Sequence, residues 1–350
     1  MFKAFKSKQM LSRNIGIDLG TASVIVYVEG KGILLKEPSV VAVDTNTDLI
    51  VKIGKDAQAM LGRNPENIEV VRPLKEGVIS RYDVTQKMIQ YFIRQACGNA
   101  IFPPKVVICI PTGITEVEER AVIDAGTQAG ARKTYLIEEP VAAAMGAGID
   151  ISSPIGHMIV DIGGGTTDVA VISLGGVVVS ESTKIAGDKF DEAIMSYVRR
   201  KYNVIIGERT AEFVKVKIGA VYEHGDARTL EIKGRCRIQG LPKVVTLSSK
   251  EMLEAMMEPI SAVLDTVCSV IEKTPPELVG DILKNGIVMT GGGSLLYGLD
   301  KLIEEITGIK TYVAKDPIMC VAMGTGKILG ILDNMPEGTL DLSKMRKMSY

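Results

Sequence analysis

Apolar positions along this chain switch between two periods. From Asn14, "NIGIDLGTASVIVYVEGKGILLKEPSVVAV" holds three β-rich runs broken by glycines and a proline, which predicts consecutive hairpins. Helical spacing begins near Asp83 in "DVTQKMIQYFIRQACGN". A strand at "KVVICIP", a helix from Val117 through Gln128, a short strand at "TYLIEEP" and a small-residue helix at "VAAAMGAG" follow. Strands alternating with helices predict α/β layers. After a turn at 152–156 the opening pattern returns in "MIVDIGGGTTDVAVISLGGVVVSES". Residues 204–249 are more polar and irregular and read as an insertion, with a helix at "TAEFVKVKIGAVY" and strands near "TLEIKGR". From Lys250 to Glu272, apolar Met252, Met256, Ile260, Val263, Val267 and Val270 mark one face of a long amphipathic helix. "NGIVMTGGGSLLYGL" then predicts a third strand, glycine loop and helix start.

"DLGT" and "DIGGGTTD" occupy equivalent places, each an Asp at a strand end followed by Gly and Thr before a hairpin. This is the mark of a duplicated fold, and 350 residues suit two domains. One glycine-rich loop is explained by turns or close packing; three in order, each after a strand, point to phosphate. Phosphates need several N–H donors at close range, which glycine permits because no Cβ blocks the approach. They also bring Mg²⁺, a cation held through oxygen ligands and often by only one or two carboxylates, here Asp18 and Asp161. The glycine amides of the third loop, at an expected helix start, offer a further anion seat. There is no GxxxxGK[ST], nor a GxGxxG with a suitably placed ribose acid.

Composition narrows the class. Hydrophobic residues at 46% and charged residues at 24% are globular usage, and 41 basic against 42 acidic residues argue against a nucleic-acid partner. Cys97, Cys109, Cys236, Cys268 and Cys320 are widely spaced, with only His157 and His224 to assist, so zinc and disulfide frameworks are not expected. No apolar stretch suits a membrane span or signal peptide, so an intracellular protein is expected.

The order "DLGT", "IEEPVAAAMGAG", "DIGGGTTD", "TGGGSLLYGL" resembles the actin, Hsp70 and sugar-kinase superfamily. "IGIDLGTAS", "GKGILLKEPSVVAVD", "GERTAE", "LPKVV" and "PPELVGDI" narrow the likeness, over roughly residues 14–330, to the MreB family of bacterial actin homologues. The resemblance implies an actin-like fold: two duplicated α/β domains with a nucleotide cleft between them, each carrying a smaller subdomain. Residues 14–37, 78–148 and 320–337 would form the first core and 38–77 its subdomain; 149–186 and 250–319 the second core and 187–249 its subdomain. Residues 1–13 and 338–350 would be a basic amphipathic N-terminal segment and a basic tail. ATP and Mg²⁺ are the implied cofactors. Gly20, Thr21 and Ala22 fall in the first phosphate loop, and Gly163, Gly164, Gly165 and Thr166 in the second. Glu212 and Lys215 bracket ribose and adenine, and Gly292, Gly293, Ser294 and Leu295 form the remaining wall. Glu139 would orient the attacking water, supported by the Thr166 hydroxyl; its alternative role is capping a helix that begins near Pro140. Asp168 and Thr167 either touch ligand or metal or make local hydrogen bonds, and Glu138 reads as structural.

The function so implied is a slow ATPase that polymerises into paired protofilaments and supports cell shape, in rod morphogenesis or as shape and motility in a wall-less cell. Paralogous filaments and membrane morphogenesis proteins are further implied partners. Two other classes stand beside it: a sugar-kinase-type phosphotransferase, and an Hsp70-type motor, for which no peptide-binding domain is expected after residue 350. A cytoplasmic position at the inner face of the membrane follows from three features. Phe2 and Phe5 share a helical face beside Lys3, Lys6 and Lys8. Ile101 and Phe102 precede two prolines where the family carries a membrane-inserting loop. Lys344, Arg346 and Lys347 in the tail suit an anionic surface.

Overall fold

The computed structural model describes residues 13–98, 102–223, 228–332, 338–340 and 342. Three strands open the chain, β1 (Ile15–Leu19), β2 (Ser23–Val28) and β3 (Gly32–Pro38), followed by β4 (Val41–Asp44), β5 (Leu49–Ile53), α1 (Lys55–Met60), β6 (Ile68–Val71), β7 (Leu74–Lys75) and β8 (Val78–Ile79). Next come α2 (Tyr82–Cys97), β9 (Lys105–Ile110), α3 (Glu116–Gln128), β10 (Lys133–Glu138) and α4 (Glu139–Gly146). The pattern then restarts with β11 (His157–Ile162), β12 (Thr167–Ser173), β13 (Gly176–Thr183) and α5 (Gly187–Tyr202). The insertion supplies β14 (Val204–Ile205), α6 (Glu208–Ile218), β15 (Thr229–Cys236) and β16 (Pro242–Ser248). The chain closes with α7 (Ser249–Lys273), α8 (Pro276–Asn285), β17 (Ile287–Thr290), α9 (Leu299–Thr307), β18 (Thr311–Val313), α10 (Cys320–Leu329) and β19 (Gly338–Thr339).

The duplication is explicit in the sheets. One sheet runs β3-β2-β1-β9-β10-β19 and the other β13-β12-β11-β17-β18. In each, a meander of two antiparallel pairs is extended by parallel strands on the far side of its first strand. Asp18 is the penultimate residue of β1 and Asp161 the penultimate residue of β11. The carboxyl ends of parallel strands, where α/β sheets place ligands, therefore carry both acids.

Alternation along the strands divides three large cores. Ile15, Ile17, Val106 and Ile108 face α2 and α3, through Met88, Phe92 and Ala125. Met158, Val160, Ile162, Val169 and Val171 face α5, α6 and α7 on the far side of the second sheet. Between the sheets, Val107, Tyr135 and Ile137 meet Ile159, Ala170 and Ile172 through Ala142, Ala143 and Ala144 of α4 and Val321 and Ile328 of α10. The result is a stack of helices, sheet, helices, sheet, helices. In α7 the predicted stripe of Met252, Met256, Ile260, Val263, Val267 and Val270 is wholly buried, and a Ser248–Glu251 capping box starts the helix. Smaller sheets, β5-β4-β6 and β14-β15-β16, flank the two halves. The third glycine loop departs from expectation: it leads into a short 3₁₀ turn at Gly292–Leu295, because Gly298 in a left-handed conformation delays the α-helix to Leu299. Of the membrane-facing candidates, Phe102 is 52% exposed, whereas Phe2, Phe5, Ile101, Lys344, Arg346 and Lys347 lie outside the described residues.

The central layer depends on a backbone contact between α4 and α10. A Cβ on Gly324 would sit 1.9 Å from the Ala142 carbonyl oxygen, and one on Gly146 would sit 1.7 Å from that of Cys320. Gly324→Ala should therefore force the helices apart and lower stability by roughly 1–3 kcal/mol. Gly280→Ala should do the reverse, adding roughly 0.5–1 kcal/mol, because that position in α8 is exposed and open and alanine is the better helix former. Urea denaturation of the two variants checks this: equal effects, or effects of the same sign, contradict the packing described.

Candidate functional site

A cleft of ≈ 880 Å³ opens where the two strand ends meet, and it gathers most of the predicted residues. Asp18, Gly20, Thr21 and Ala22 line it from the β1–β2 turn, Asp161, Gly163, Gly164, Gly165 and Thr166 from the β11–β12 turn, and Glu139 from the start of α4. Glu212 and Lys215 reach it from α6, and Gly292, Gly293 and Leu295 from the 3₁₀ turn. Ser294 is different: its side chain is buried and its hydroxyl donates to the Gly291 carbonyl at 2.7 Å, inside the turn.

The two glycine loops touch. A Cβ on Gly164 would lie 2.6 Å from Ala22 Cβ, and one on Gly165 2.4 Å from Thr21 Oγ1. Glycine is thus required by loop-to-loop contact as well as by any ligand. Thr21 Oγ1 accepts from the Gly77 amide at 3.2 Å, so the β7–β8 turn is fastened to the first loop. The adjacent Glu76 carboxylate lies 3.6 Å from Lys184 of the other half.

Three carboxylates, Asp18, Glu139 and Asp161, line the floor, and a fourth, Asp168, is buried in the sheet close to them. Asp161 Oδ1 accepts from Thr290 Oγ1 at 2.8 Å, and Asp168 Oδ1 accepts from the Thr112 amide at 2.9 Å and the Thr112 hydroxyl at 3.0 Å. Burial, and then the charge of Asp161, push Asp18 up to about 8. Asp161 is pushed up to about 7 by burial; the Thr290 hydrogen bond works against the shift and the charge of Asp168 adds to it. Glu139 is raised well above the usual carboxylate range by burial and then by Asp168, Asp161 and Asp18. Asp168 is raised by burial against the opposing Thr112 bonds; Ser182 and Thr166 hydroxyls stand near enough to favour its charge, but neither closes a hydrogen bond on Oδ2. Among the described residues, no Lys or Arg forms an ion pair with any of the four. Asp18 and Glu139 remain partly accessible because they open onto the cleft.

The structure also places the residues whose roles were left open. Asp168 and Thr167 lie on β12, in the body of the sheet; the Thr167 hydroxyl is held locally by the Ile185 carbonyl at 2.7 Å, whereas the partner of Asp168 comes from the other half. The helix after β10 begins at Glu139, which is thus an acid in the first helical turn as well as a residue that lines the cleft; Glu138 is the N-cap residue and makes no side-chain capping bond. Sequence reasoning missed Thr112, Gly77, Arg72 and Asp191. "IPTG" places a Thr beside a Gly at the end of β9, in the reverse order to the Gly-Thr of the two acidic loops, and was the available signal for Thr112. Arg72 lies 3.7 Å from Asp188 and 3.6 Å from Glu208, and Asp191 lies 2.8 Å from Lys215; partners so remote in sequence leave no local pattern.

A family model described as MreB/Mbl protein matches residues 12–337. The cell shape-determining protein MreB of Escherichia coli (strain K12) is 50% identical over 339 residues, which are 95% of this chain and 97% of that protein. The crystal structure of MreB5 of Spiroplasma citri bound to ADP matches with a TM-score of 0.87 at 38% identity, covering 97% of this chain and 99% of that one. The same protein bound to AMPPNP matches at 0.86 and 40% identity, covering 92% and 96%. A MamK double helical filament shares the fold at 21% identity and a TM-score of 0.78, covering 93% of this chain and 100% of that one. With duplicated sheets, an acid-floored cleft and a family match along nearly its whole length, the chain belongs to the MreB/Mbl protein family and has the actin-like fold.

Proposed function

We propose that this protein is an ATP-binding cytoskeletal protein that hydrolyses ATP slowly, polymerises with itself and supports cell shape. One observation carries the reading: two equivalent Asp-bearing hairpins from duplicated sheets meet at a cleft whose floor is acidic and, among the described residues, paired with no Lys or Arg. The relatives add support, since MreB5 of Spiroplasma citri carries ADP or AMPPNP and the Escherichia coli protein is named for cell shape. Membership in this family favours the cytoskeletal reading over a sugar-kinase-type phosphotransferase.

The donor set fits Mg²⁺. All the acidic groups are hard oxygen ligands, and among the described residues no three of them close on one metal position. That is the arrangement of a cation that keeps several waters and leans on one or two carboxylates, Asp18 and Asp161, together with phosphate. When bound, the ion supplies charge neutralisation to phosphates that would otherwise meet an acidic floor. The chain's own residues do the rest. The Gly20 and Gly163 amides close their own turns onto the Ser23 and Thr166 carbonyls, which leaves amides of residues 21–22 and 164–166 as the donors for phosphate, while the Glu212 carboxylate can accept ribose hydroxyls and the Lys215 stem can cover the base. Glu139, held at the first position of α4, can orient a water toward the terminal phosphate, with the Thr166 hydroxyl lining the same cleft.

The proposed division into two cores with subdomains at 38–77 and 187–249 is supported by the separate sheets β5-β4-β6 and β14-β15-β16. Filaments are proposed to form paired protofilaments at the inner face of an anionic membrane, anchored by Phe2, Phe5, Ile101 and Phe102 and assisted by Lys344, Arg346 and Lys347. Phe102 supports this by its exposure beside Pro103 and Pro104.

Sedimentation after addition of Mg·ATP, with sugar-dependent ADP release as the competing readout, tests the proposal. Glu139→Ala should bind ATP with little change while phosphate release slows by ~10²-fold or more, and its pelleted polymer should persist longer. A wild-type hydrolysis rate in that variant returns Glu139 to a structural role.

A second outcome concerns pH. Without metal or nucleotide, Asp18 and Asp161 hold protons up to about 8 and about 7, against about 3.9 in the unfolded chain. Between those values the native state binds more protons than the unfolded state, so this pair costs stability progressively as pH rises from about 4 to about 8, and the loss levels off above that. Calorimetry in EDTA should show Tm falling over that range, with a shallower slope for Asp161→Asn. A wild-type Tm that holds level or rises contradicts the unneutralised floor.

A further inference from the structure

The nucleoside side of the cleft contains one buried ion pair whose geometry exceeds what stability requires. Lys215 Nζ donates to Asp191 Oδ2 at 2.8 Å and to the Gly187 carbonyl at 2.8 Å, with the two side chains only 17% and 12% exposed. Asp191 and Gly187 belong to the first turns of α5, whereas Lys215 comes from α6, so the pair ties the two helices together. The start of α5 is itself tied to the second glycine loop: the Gly187 amide donates to the Gly163 carbonyl at 3.2 Å and the Asp188 amide to that of Gly164 at 2.8 Å. A continuous series of bonds therefore runs from the phosphate loop through Gly187 to the Lys215 ammonium. Glu212 lies one turn earlier on α6 and also faces the cleft.

The other oxygen of Asp191, Oδ1, is buried with no hydrogen-bond partner among the described residues. Burial pushes this carboxylate up to about 6 despite the lysine. A half-satisfied buried pair of this kind is poor at stabilising a fold, since desolvation offsets most of the attraction. It is good at fixing a long, flexible side chain in one place. Free lysine stems sample many rotamers, and a ligand that must order one loses affinity.

We propose that Asp191 is a positioning residue for the nucleoside half of the ligand: it pins the Lys215 ammonium, so that the lysine stem and the Glu212 face of α6 stand ready to receive base and ribose. This rests on the nucleotide reading of the cleft and assigns Asp191 no contact with phosphate. Its effect must then be selective. Loss of the anchor weakens ligands that carry a nucleoside and spares a bare phosphate chain, which reaches only the glycine loops and the acidic floor.

Calorimetric titration of the full-length protein with Mg·ATP and with Mg·tripolyphosphate tests this. Asp191→Ala should weaken Mg·ATP by about tenfold or more, the scale of one hydrogen bond to a charged group, while tripolyphosphate affinity stays within about twofold. The double variant Asp191→Ala with Lys215→Ala should bind Mg·ATP no more weakly than Lys215→Ala alone, because Asp191 acts through the lysine. Equal weakening of both ligands would make Asp191 merely structural and overturn the proposal, as would Mg·ATP affinity within about twofold of wild type. If Asp191→Ala does not fold, Asp191→Asn, which keeps the shape and removes the charge, is held to the same selective loss. Failure of the wild-type protein to bind Mg·ATP would instead overturn the nucleotide reading, an outcome visible before any variant is made.

Discussion

Burial of carboxylates without a countercharge, compounded by repulsion among them, is the constraint on which the structure turns. Asp18, Asp161, Glu139 and Asp168 arrive from β1, β11, α4 and β12, and among the described residues no lysine or arginine pairs with them. Each is raised by burial, and all but Asp18 and Asp168 are visibly held or opened by a single neighbour: Thr290 for Asp161, the start of α4 for Glu139. A protein gains nothing in stability from such a floor. It becomes intelligible as a receptor for cationic charge, delivered together with an anion that the glycine loops can hold.

The architecture explains how the acids are brought together and kept apart. Duplicated sheets place equivalent hairpins face to face, and the α4–α10 layer sets the distance between them through backbone contact at Gly146 and Gly324. Above that layer the halves are joined by small polar ties: Thr112 to Asp168, Glu76 to Lys184, and Arg72 to Asp188 and Glu208. The tightly packed layer forms the base of the cleft. Ties of 3.6–3.7 Å between partly exposed ions are individually weak, so the rim is the part of the structure that a bound ligand can most readily reset. In a protein that polymerises as proposed, that is where occupancy of the cleft can alter the relation of the two halves.

Much of this was legible in the sequence because it is written in local pattern. Strand periodicity, the repeated Asp-Gly-Thr turns and the α7 stripe depend on residues a few positions apart, and β1–β3, β11–β13 and α7 follow them. The candidate site was legible for a related reason: glycine loops after strands combine a backbone requirement with a chemical one. What escaped was long-range. Nothing near Asp191 announces Lys215, nothing near Arg72 announces Asp188, and the glycines assigned to phosphate contact turn out to be needed also where Gly164 and Gly165 press on Ala22 and Thr21. The delayed helix after the third loop was hidden by the left-handed conformation at Gly298, which only the folded turn reveals. Ser294 was assigned by position along the loop, and its direction is set by a bond back to Gly291.

On the proposed nucleotide reading, the acidic floor accepts phosphate only in the company of a divalent cation, and ATP affinity as a function of Mg²⁺ tests this most directly. Titration of the wild-type protein with ATP should give binding at least about tenfold tighter in millimolar Mg²⁺ than in EDTA, with protons released as Asp18 and Asp161 give up theirs. Equal affinity in EDTA, with no proton release, would contradict the account.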